Sequence, residues 1–317
     1  MRILVSAGAY ALAMAGIILG LSWGQPSNVV GMFLVSGLAV GSLYALGGIG
    51  LVVLYRATGV LNFANGAIGA LGVMVAWQLV QWGWPGPLTW VLGIGLTTAL
   101  SLGYGRLIGP GLAWRDPVVK AVATLGFALV VLGMTAFAWE DDVRRFALPT
   151  DNVAITILGL RVTVTRLVVV AAVIGIVVVI WAYLGRTRTG LQMRALANDR
   201  DLSALIGVPI VRVETVAWGI SGVIAGFTGL MFGNLVRLEP TIITFMIIPS
   251  IAAAICGRLD NLALVLVGGL SMGVIESMLT LSPELRAVRP IAPFVIAALV
   301  LVWIQMGHRS VIGRDQQ

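Results

Sequence analysis

Ten long apolar runs restrict the fold of this 317-residue sequence more than any other feature. Most are at least about 17 residues long, the length that an α-helix needs to cross a bilayer. Because 59% of the residues are hydrophobic and only 10% are charged, an all-α polytopic membrane protein is predicted, with residues 1–317 as a single transmembrane domain. The predicted spans are 3–23, 29–54, 66–82, 88–105, 119–139, 167–185, 214–234, 242–256, 262–280 and 290–306. The eighth is short and contains Pro249, so we expect it to be broken or packed inside the bundle.

These ten transmembrane helices divide into two halves of five, at about 1–150 and 151–317. An odd number of spans per half places the halves in opposite orientations, which is the arrangement of an inverted repeat. Spans 2 and 3 then correspond to spans 7 and 8. Each pair has a glycine-rich helix, an interruption (57–65 or 235–241) and a second apolar run. The polar loop 140–165 is the expected junction, on the outer side.

The basic residues predict the orientation. With the N-terminus in the cytoplasm, thirteen of the 20 Lys and Arg residues fall on the inner side and seven on the outer side. This bias places both termini in the cytoplasm, and it explains the net charge of +7 without nucleic acid. We interpret span 3–23 as a retained anchor rather than a signal peptide, because it is about 20 residues long and no small-x-small cleavage site follows it. The later spans keep their orientation in either case.

A charged island interrupts this apolar pattern between Arg186 and Glu214, where eight charged residues occur. We expect a cytoplasmic loop over residues 186–213. The loop carries the signals of a short amphipathic helix over 199–207: an N-cap, an apolar face, a C′ glycine and a terminating proline (Asp199; Leu202, Leu205 and Ile206; Gly207; Pro209). Such a helix on a membrane protein indicates docking of a partner, whereas the plainer alternative is a solvated loop.

A second polar interruption lies between spans 2 and 3, where residues 58–66 supply a hydroxyl, two amides and two glycines. Irregular backbone near membrane depth needs protein or a water-filled cavity around it, so a translocation path is predicted here, with an ordinary turn as the alternative. Glu276 is the only acidic residue well inside a span, and either a pathway role or a structural pairing would explain it. The candidate pathway residues are Tyr44, Asn62, Asn65, Thr124, Ser221 and Glu276.

Catalytic and metal chemistry is not predicted. The single lysine, Lys120, is not part of a phosphate-binding loop motif, so this chain is not expected to hydrolyse a nucleotide. With one histidine (His308) and one cysteine (Cys256), the chain offers no metal cluster and no disulfide framework. Residues 219–222 match the Gly-x-Ser-Gly of rhomboid-type proteases, but Ser221 has no base on the spans. We therefore expect neither an enzyme nor a cofactor.

Three blocks of the sequence resemble those of the LivH-type permeases of branched-chain amino-acid ABC transporters. The first holds Ser42-Leu-Tyr44-Ala45-Leu46, Ile49-Gly50-Leu51, Tyr55 and Gly59-Val-Leu-Asn62-Phe63-Ala64-x-Gly66. The second is Ala123-Thr124-Leu125-Gly126, and the third holds Gly190, Arg194-Ala195, Asp199, Ala204, Gly207-Val208 and Ala225-Gly226-x-x-Gly229. The resemblance covers roughly residues 30–300, and the blocks are specific when taken together.

This resemblance implies an importer permease of the bacterial cytoplasmic (inner) membrane, with the lipid bilayer as its surroundings. The implied partners are a second homologous permease subunit, two cytoplasmic ATP-binding subunits and an extracytoplasmic solute-binding protein. The charged island then corresponds to the loop that couples transport to the ATPase, with Arg194, Asp199, Leu202, Leu205, Ile206 and Gly207 as the coupling residues.

Departures from the family pattern leave the substrate open. Asn65 stands where many members have His, Ala67 where they often have Glu, and 256–260 replaces a Gly-Gly-Leu-Gly-Ser run. Branched-chain amino acids, other amino acids, urea and short amides all remain candidates. The alternative class is a stand-alone secondary transporter or channel with inverted repeats. Glu276 would be its only coupling carboxylate, and the capped cytoplasmic helix would be superfluous to it.

Overall fold

The computed structural model describes residues 16–17, 19–22, 24–140, 142–157, 159–282, 284–300 and 302. The chain is mostly helical. In chain order its helices are α1 (Ser27–Thr58), α2 (Asn65–Gln81), α3 (Gly86–Leu107), α4 (Gly109–Leu112), α5 (Pro117–Trp139), α6 (Val164–Arg186), α7 (Arg188–Asn198), α8 (Arg200–Leu205), α9 (Ile210–Leu235), α10 (Pro240–Phe245), α11 (Ile247–Cys256) and α12 (Leu262–Leu279). Two 3₁₀ helices (Pro149–Asn152 and Arg286–Ile291) and two strands, β1 (Ala154–Ile157) and β2 (Leu160–Thr163), complete these elements.

The long helices confirm a polytopic helical membrane protein. In the described part of the chain, six helices are long and apolar enough to cross a bilayer: α1, α3, α5, α6, α9 and α12. Helix α2 coincides with the predicted span 66–82, and residues 292–300 are helical within the predicted span 290–306. Most of the predicted span 3–23 lies outside the described residues.

The eighth predicted span is broken, as expected, although not at its proline. Helix α10 ends at Phe245 and α11 begins at Ile247, with Met246 between them. Pro249 lies in the first turn of α11, where a backbone N–H has no partner within the helix and its loss costs little. The break therefore precedes the proline instead of falling on it.

The predicted junction loop contains a short β-hairpin, which the sequence analysis did not predict. Strands β1 and β2 form an antiparallel hairpin in which Ala154 pairs with Thr163, and Gly159 in the turn has a φ of +79°. The Asp151 carboxylate accepts hydrogen bonds from Thr165 (2.5 Å) and from the Asn234 amide (2.7 Å), which ties the loop to the end of α9. The hairpin defines one end of the bundle, and α7 and α8 define the other, which we call the α8 end.

Helix α1 lies at the centre of the bundle. It contacts helices α6, α7, α9, α11 and α12. Its crossing with α12 is closed by glycines, since a Cβ on Gly273 would overlap the backbone of Gly41. A Cβ on Gly229 of α9 would likewise overlap the backbone of Gly69 on α2. The small-xxx-small spacings in these helices are therefore close helix contacts.

Gly273→Ala is expected to lower the thermal stability of the detergent-solubilised protein sharply. The added methyl forces α1 and α12 apart, and overpacking of this kind costs about 1–3 kcal/mol. Gly126→Ala is the matched control, because nothing lies within 4 Å of a Cβ built there. Heating followed by size-exclusion chromatography measures the difference, and equal losses for the two variants would contradict the packing described for α1 and α12.

Candidate functional site

The predicted interruption after α1 is present in the structure. Helix α1 ends at Thr58, Gly59 adopts a φ of +67° and donates its N–H to the Tyr55 carbonyl at 2.7 Å, and α2 begins at Asn65. Glycine suits this position because the left-handed conformation strains residues that carry a Cβ. Residues 60–64, which we call the interruption, are therefore non-helical backbone between two apolar helices.

Helix α5 supplies hydrogen bonds to the interruption and to the end of α1. The Thr124 hydroxyl accepts from the Phe63 N–H at 3.2 Å and lies 3.0 Å from the Leu61 carbonyl, to which it can donate. One turn earlier, Lys120 donates from Nζ to the Thr58 carbonyl at 3.4 Å. Side chains of α5 thus satisfy backbone groups at the end of α1 and in the interruption that lack helical partners.

Two buried amides lie in and beside the interruption. Asn62 accepts from the Ala64 N–H at 3.0 Å through Oδ1, while its Nδ2 has no hydrogen-bond partner among the described residues. Asn65 accepts from the Ser221 hydroxyl at 3.2 Å. An unpaired donor that is 1% exposed is energetically unfavourable unless water or a solute completes its hydrogen bonding. Asn62 therefore offers a free donor to water or to a small polar molecule.

Cavities lie on both sides of the interruption. The first, which we call the midbundle cleft, lies among α1, α2, α9 and α10–α11, with Asn65, Gly66 and Gly229 in its lining. The second, which we call the α8-end cavity, is lined by residues that include Thr58, Val60, Tyr104, Lys120, Glu214 and Trp218. Each is narrow, with room for about one water molecule. The interruption thus separates two cavities in a closed arrangement.

Tyr44 and Glu276 form a separate cluster with a residue that the sequence pattern missed. The Tyr44 hydroxyl donates to Glu276 at 2.7 Å, and Arg289 Nε donates to the other carboxylate oxygen at 3.0 Å. Neither Tyr44 nor Glu276 lines the two cavities, although Tyr44 packs against Phe232 and Met246, which line the midbundle cleft. Of the two interpretations of Glu276, the geometry favours structural pairing.

The six predicted pathway residues therefore lie in two groups. Asn62, Asn65, Thr124 and Ser221 meet at the interruption, whereas Tyr44 and Glu276 meet in the cluster with Arg289. Sequence reasoning assigned no contact to Lys120 or Arg289. In the structure, Lys120 is 7% exposed beside the interruption, and Arg289 lies in the 3₁₀ helix that folds against α12. No local sequence signal marks either contact.

The charged island folds into two helices rather than one short helix in a loop. Helix α7 packs against α1, with Met193 and Leu196 buried, and it carries Arg194 on an exposed position. The caps predicted for α8 are confirmed: Asp199 accepts from the Leu202 N–H at 2.9 Å, and Gly207 has a φ of +81°.

The apolar face of α8 points away from the protein. The exposed fractions of Leu202, Leu205 and Ile206 are 54%, 84% and 69%. These side chains have no packing role within the described part of the chain, and exposed apolar patches commonly mark contacts with another protein. The face is therefore available to a partner.

These features are typical of a membrane transport protein: membrane-length helices, an interrupted helix between two cavities, and a short helix with an exposed apolar face at one end. A sequence profile for the permease component of branched-chain amino acid transport systems matches residues 33–314, and the chain belongs to this family.

Individual relatives agree with this assignment. The chain is 27% identical over 266 residues to the probable branched-chain amino acid transport permease protein LivH of Methanocaldococcus jannaschii, a match that covers 78% of this chain and 81% of the relative. It is 24% identical over 293 residues to the high-affinity branched-chain amino acid transport system permease protein LivH of Escherichia coli K12, covering 84% and 92%. A solved structure of PsaBC from Streptococcus pneumoniae in complex with Fab aligns with a TM-score of 0.45 at 14% identity, covering 91% of this chain and 94% of that one.

Proposed function

We propose that this chain is the membrane-spanning permease subunit of an ABC importer of branched-chain amino acids or related small polar solutes in a bacterial cytoplasmic membrane. The exposed apolar face of α8 carries the proposal, because a permease that has no nucleotide-binding loop of its own needs a surface on which an ATP-binding subunit can dock. Membership of the permease family and the names of the LivH relatives support the substrate class.

The proposed topology has ten spans in two inverted halves, about 1–150 and 151–317, with both termini and the 186–213 loop in the cytoplasm. The α1–interruption–α2 unit corresponds to the unit formed by α9, a short connection and α10–α11. Both units contribute to the lining of the midbundle cleft, through Gly66 on α2, Gly229 on α9 and Met246 between α10 and α11. In such transporters, elements from the two inverted repeats usually meet at a central site.

The proposed partners are a second homologous permease subunit, two cytoplasmic ATP-binding subunits and an extracytoplasmic solute-binding protein. The solute would move from the midbundle cleft, past the interruption, into the α8-end cavity. Its polar contacts would come from Asn62, Asn65, Thr124 and Ser221. Tyr44, which is hydrogen-bonded to Glu276, would stabilise the cleft by packing against its lining residues. Because both cavities are narrow, passage requires the interruption to move.

Native mass spectrometry of the complex purified through a tag on this chain tests the assembly. We expect one further permease and two ATP-binding subunits for each tagged chain. The ATP-binding subunits should be released when the α8 face is disrupted. Purification of this chain without an ATP-binding subunit, in a form that still accumulates solute, would overturn the proposal and favour the secondary transporter.

Solute binding by the permease and ATPase complex alone is expected to be weak. Arg289 is already paired with Glu276, and Lys120 lies beyond the interruption, so a zwitterion in the midbundle cleft would lose its hydration without charged partners. Such desolvation costs several kcal/mol. Calorimetry without the solute-binding protein should therefore detect no tight site, while the binding protein alone serves as the positive control. A micromolar or tighter dissociation constant, abolished by Glu276→Gln, would contradict this expectation.

A further inference from the structure

We propose that Arg200, Glu214 and Lys120 are positioning residues that transmit movement of α8 to the interruption. The proposal rests on the proposed function, because it describes the route between the docking helix and the translocation path. Glu214 connects the two ends of this route. It pairs with Arg200 of α8, and it lines the same cavity as Lys120. Lys120 in turn donates a hydrogen bond to the end of α1.

The first link joins α8 to the bundle. Arg200, the first residue of α8, pairs with Glu214 of α9 at 2.7 Å, and each side chain is only about one-fifth exposed (20% and 19%). The Arg200 guanidinium also lies 5.5 Å from the centroid of the Trp114 ring, in the connection between α4 and α5. A partly buried, stacked ion pair holds its geometry better than an exposed pair, so displacement of α8 acts directly on Glu214.

The second link joins Glu214 to Lys120 across the α8-end cavity, which both residues line. Lys120 is 7% exposed, and a buried ammonium group requires a compensating charge. Arg200 and Lys120 therefore compete for one carboxylate. When α8 moves away with Arg200, Glu214 becomes available to Lys120, whose bond to the Thr58 carbonyl is long at 3.4 Å.

The third link joins Lys120 to the path. The carbonyl that Lys120 holds belongs to the last residue of α1, and Thr124, one turn further along α5, holds Leu61 and Phe63. The cavity also contains an alternative contact for Lys120, because the buried Tyr104 hydroxyl has no partner among the described residues. Release of Thr58 would free the start of the interruption while Thr124 still guides its middle.

The direct test is Glu214→Gln in the complete transporter with its ATP-binding and solute-binding partners. We expect the ATP-binding subunits to remain bound and to hydrolyse ATP, while the solute transported per ATP falls by about tenfold, within the range typical of coupling between two sites. Asp260→Asn is the matched control, since it removes the acid of an exposed pair with Arg56 (3.3 Å) at the same end of the bundle. Lys120→Met, as a second variant, should reproduce the loss.

Two measurements separate transmission from a purely structural role. Exchanging the charges with Arg200→Glu and Glu214→Arg should restore the attachment of α8 but not coupling, because an arginine would then face Lys120. The second measurement uses a Cys256→Ser background into which Val60→Cys is introduced as the labelled thiol. The rate at which maleimide labels this thiol should change when ATP binds. Glu214→Gln should abolish that change.

Full recovery of coupling by the charge exchange, or normal coupling in Glu214→Gln, would overturn the relay while leaving the proposed function intact. Absence of ATP-coupled uptake in the unmodified complex would instead defeat the proposed function itself.

Discussion

Replacing Leu205 with Asp is expected to abolish ATP-driven uptake while the helical bundle stays assembled. Leu205 is 84% exposed, so the substitution removes no packing within this chain. In a docked complex, however, the carboxylate would be buried without a partner, at a cost of several kcal/mol. Because each 1.4 kcal/mol is a tenfold change in affinity, docking should weaken on the order of 100-fold or more.

Leu107→Asp provides the matched control for this substitution. Leu107 is 85% exposed and lies at the end of α3, on the same side of the bundle as α8. Retention of the ATP-binding subunits and uptake in vesicles would be measured for both variants. Normal transport by Leu205→Asp, or equal losses in the two, would show that the apolar face of α8 is not the docking surface.

The second large effect is expected for the double substitution Asn62→Leu and Asn65→Leu. It keeps the number and branching of the side-chain heavy atoms and removes both amides beside the interruption. Uptake should fall by at least about tenfold, since one lost hydrogen bond to a polar solute costs about 1–3 kcal/mol when its partner is left unsatisfied. Folding should be affected less, because the substitution removes two hydrogen bonds of the described structure, from the Ala64 N–H to Asn62 Oδ1 and from the Ser221 hydroxyl to Asn65, while Asn62 Nδ2 has no partner there.

Gln81→Leu is the control for removing an amide from the same region, because Gln81 is exposed at the far end of α2. The double variant and the control are compared at equal amounts of protein in the membrane. Undiminished uptake by the double variant would remove these asparagines from the path.

The parts of the fold that local sequence chemistry determines could be predicted. The N-cap at Asp199 and the C′ glycine at Gly207 each depend on neighbours within a few residues. Capping and positive φ leave the same signals in any sequence, so these boundaries agree with the structure. The membrane-length helices could also be predicted, because a long apolar run is itself a local feature of the sequence.

Contacts between distant residues could not be predicted in this way. Tyr44 meets Glu276 and Lys120 meets Thr58 only after the helices pack, and no periodicity in one sequence encodes either pair. The hairpin was missed because its strands have four residues each within a polar loop. The candidate site is therefore known from sequence as a set of residues, while its cavities and its ion pairs come from tertiary packing.

ATP-driven solute uptake into proteoliposomes tests the central claim most directly. The complex of this chain with its partner permease and ATP-binding subunits is reconstituted, and the solute-binding protein is supplied on the face opposite α8. We expect a branched-chain amino acid to accumulate on the α8 side only when ATP is present on that side, and a proton or sodium gradient alone to drive none. Gradient-driven accumulation by this chain without any ATP-binding subunit would contradict the account.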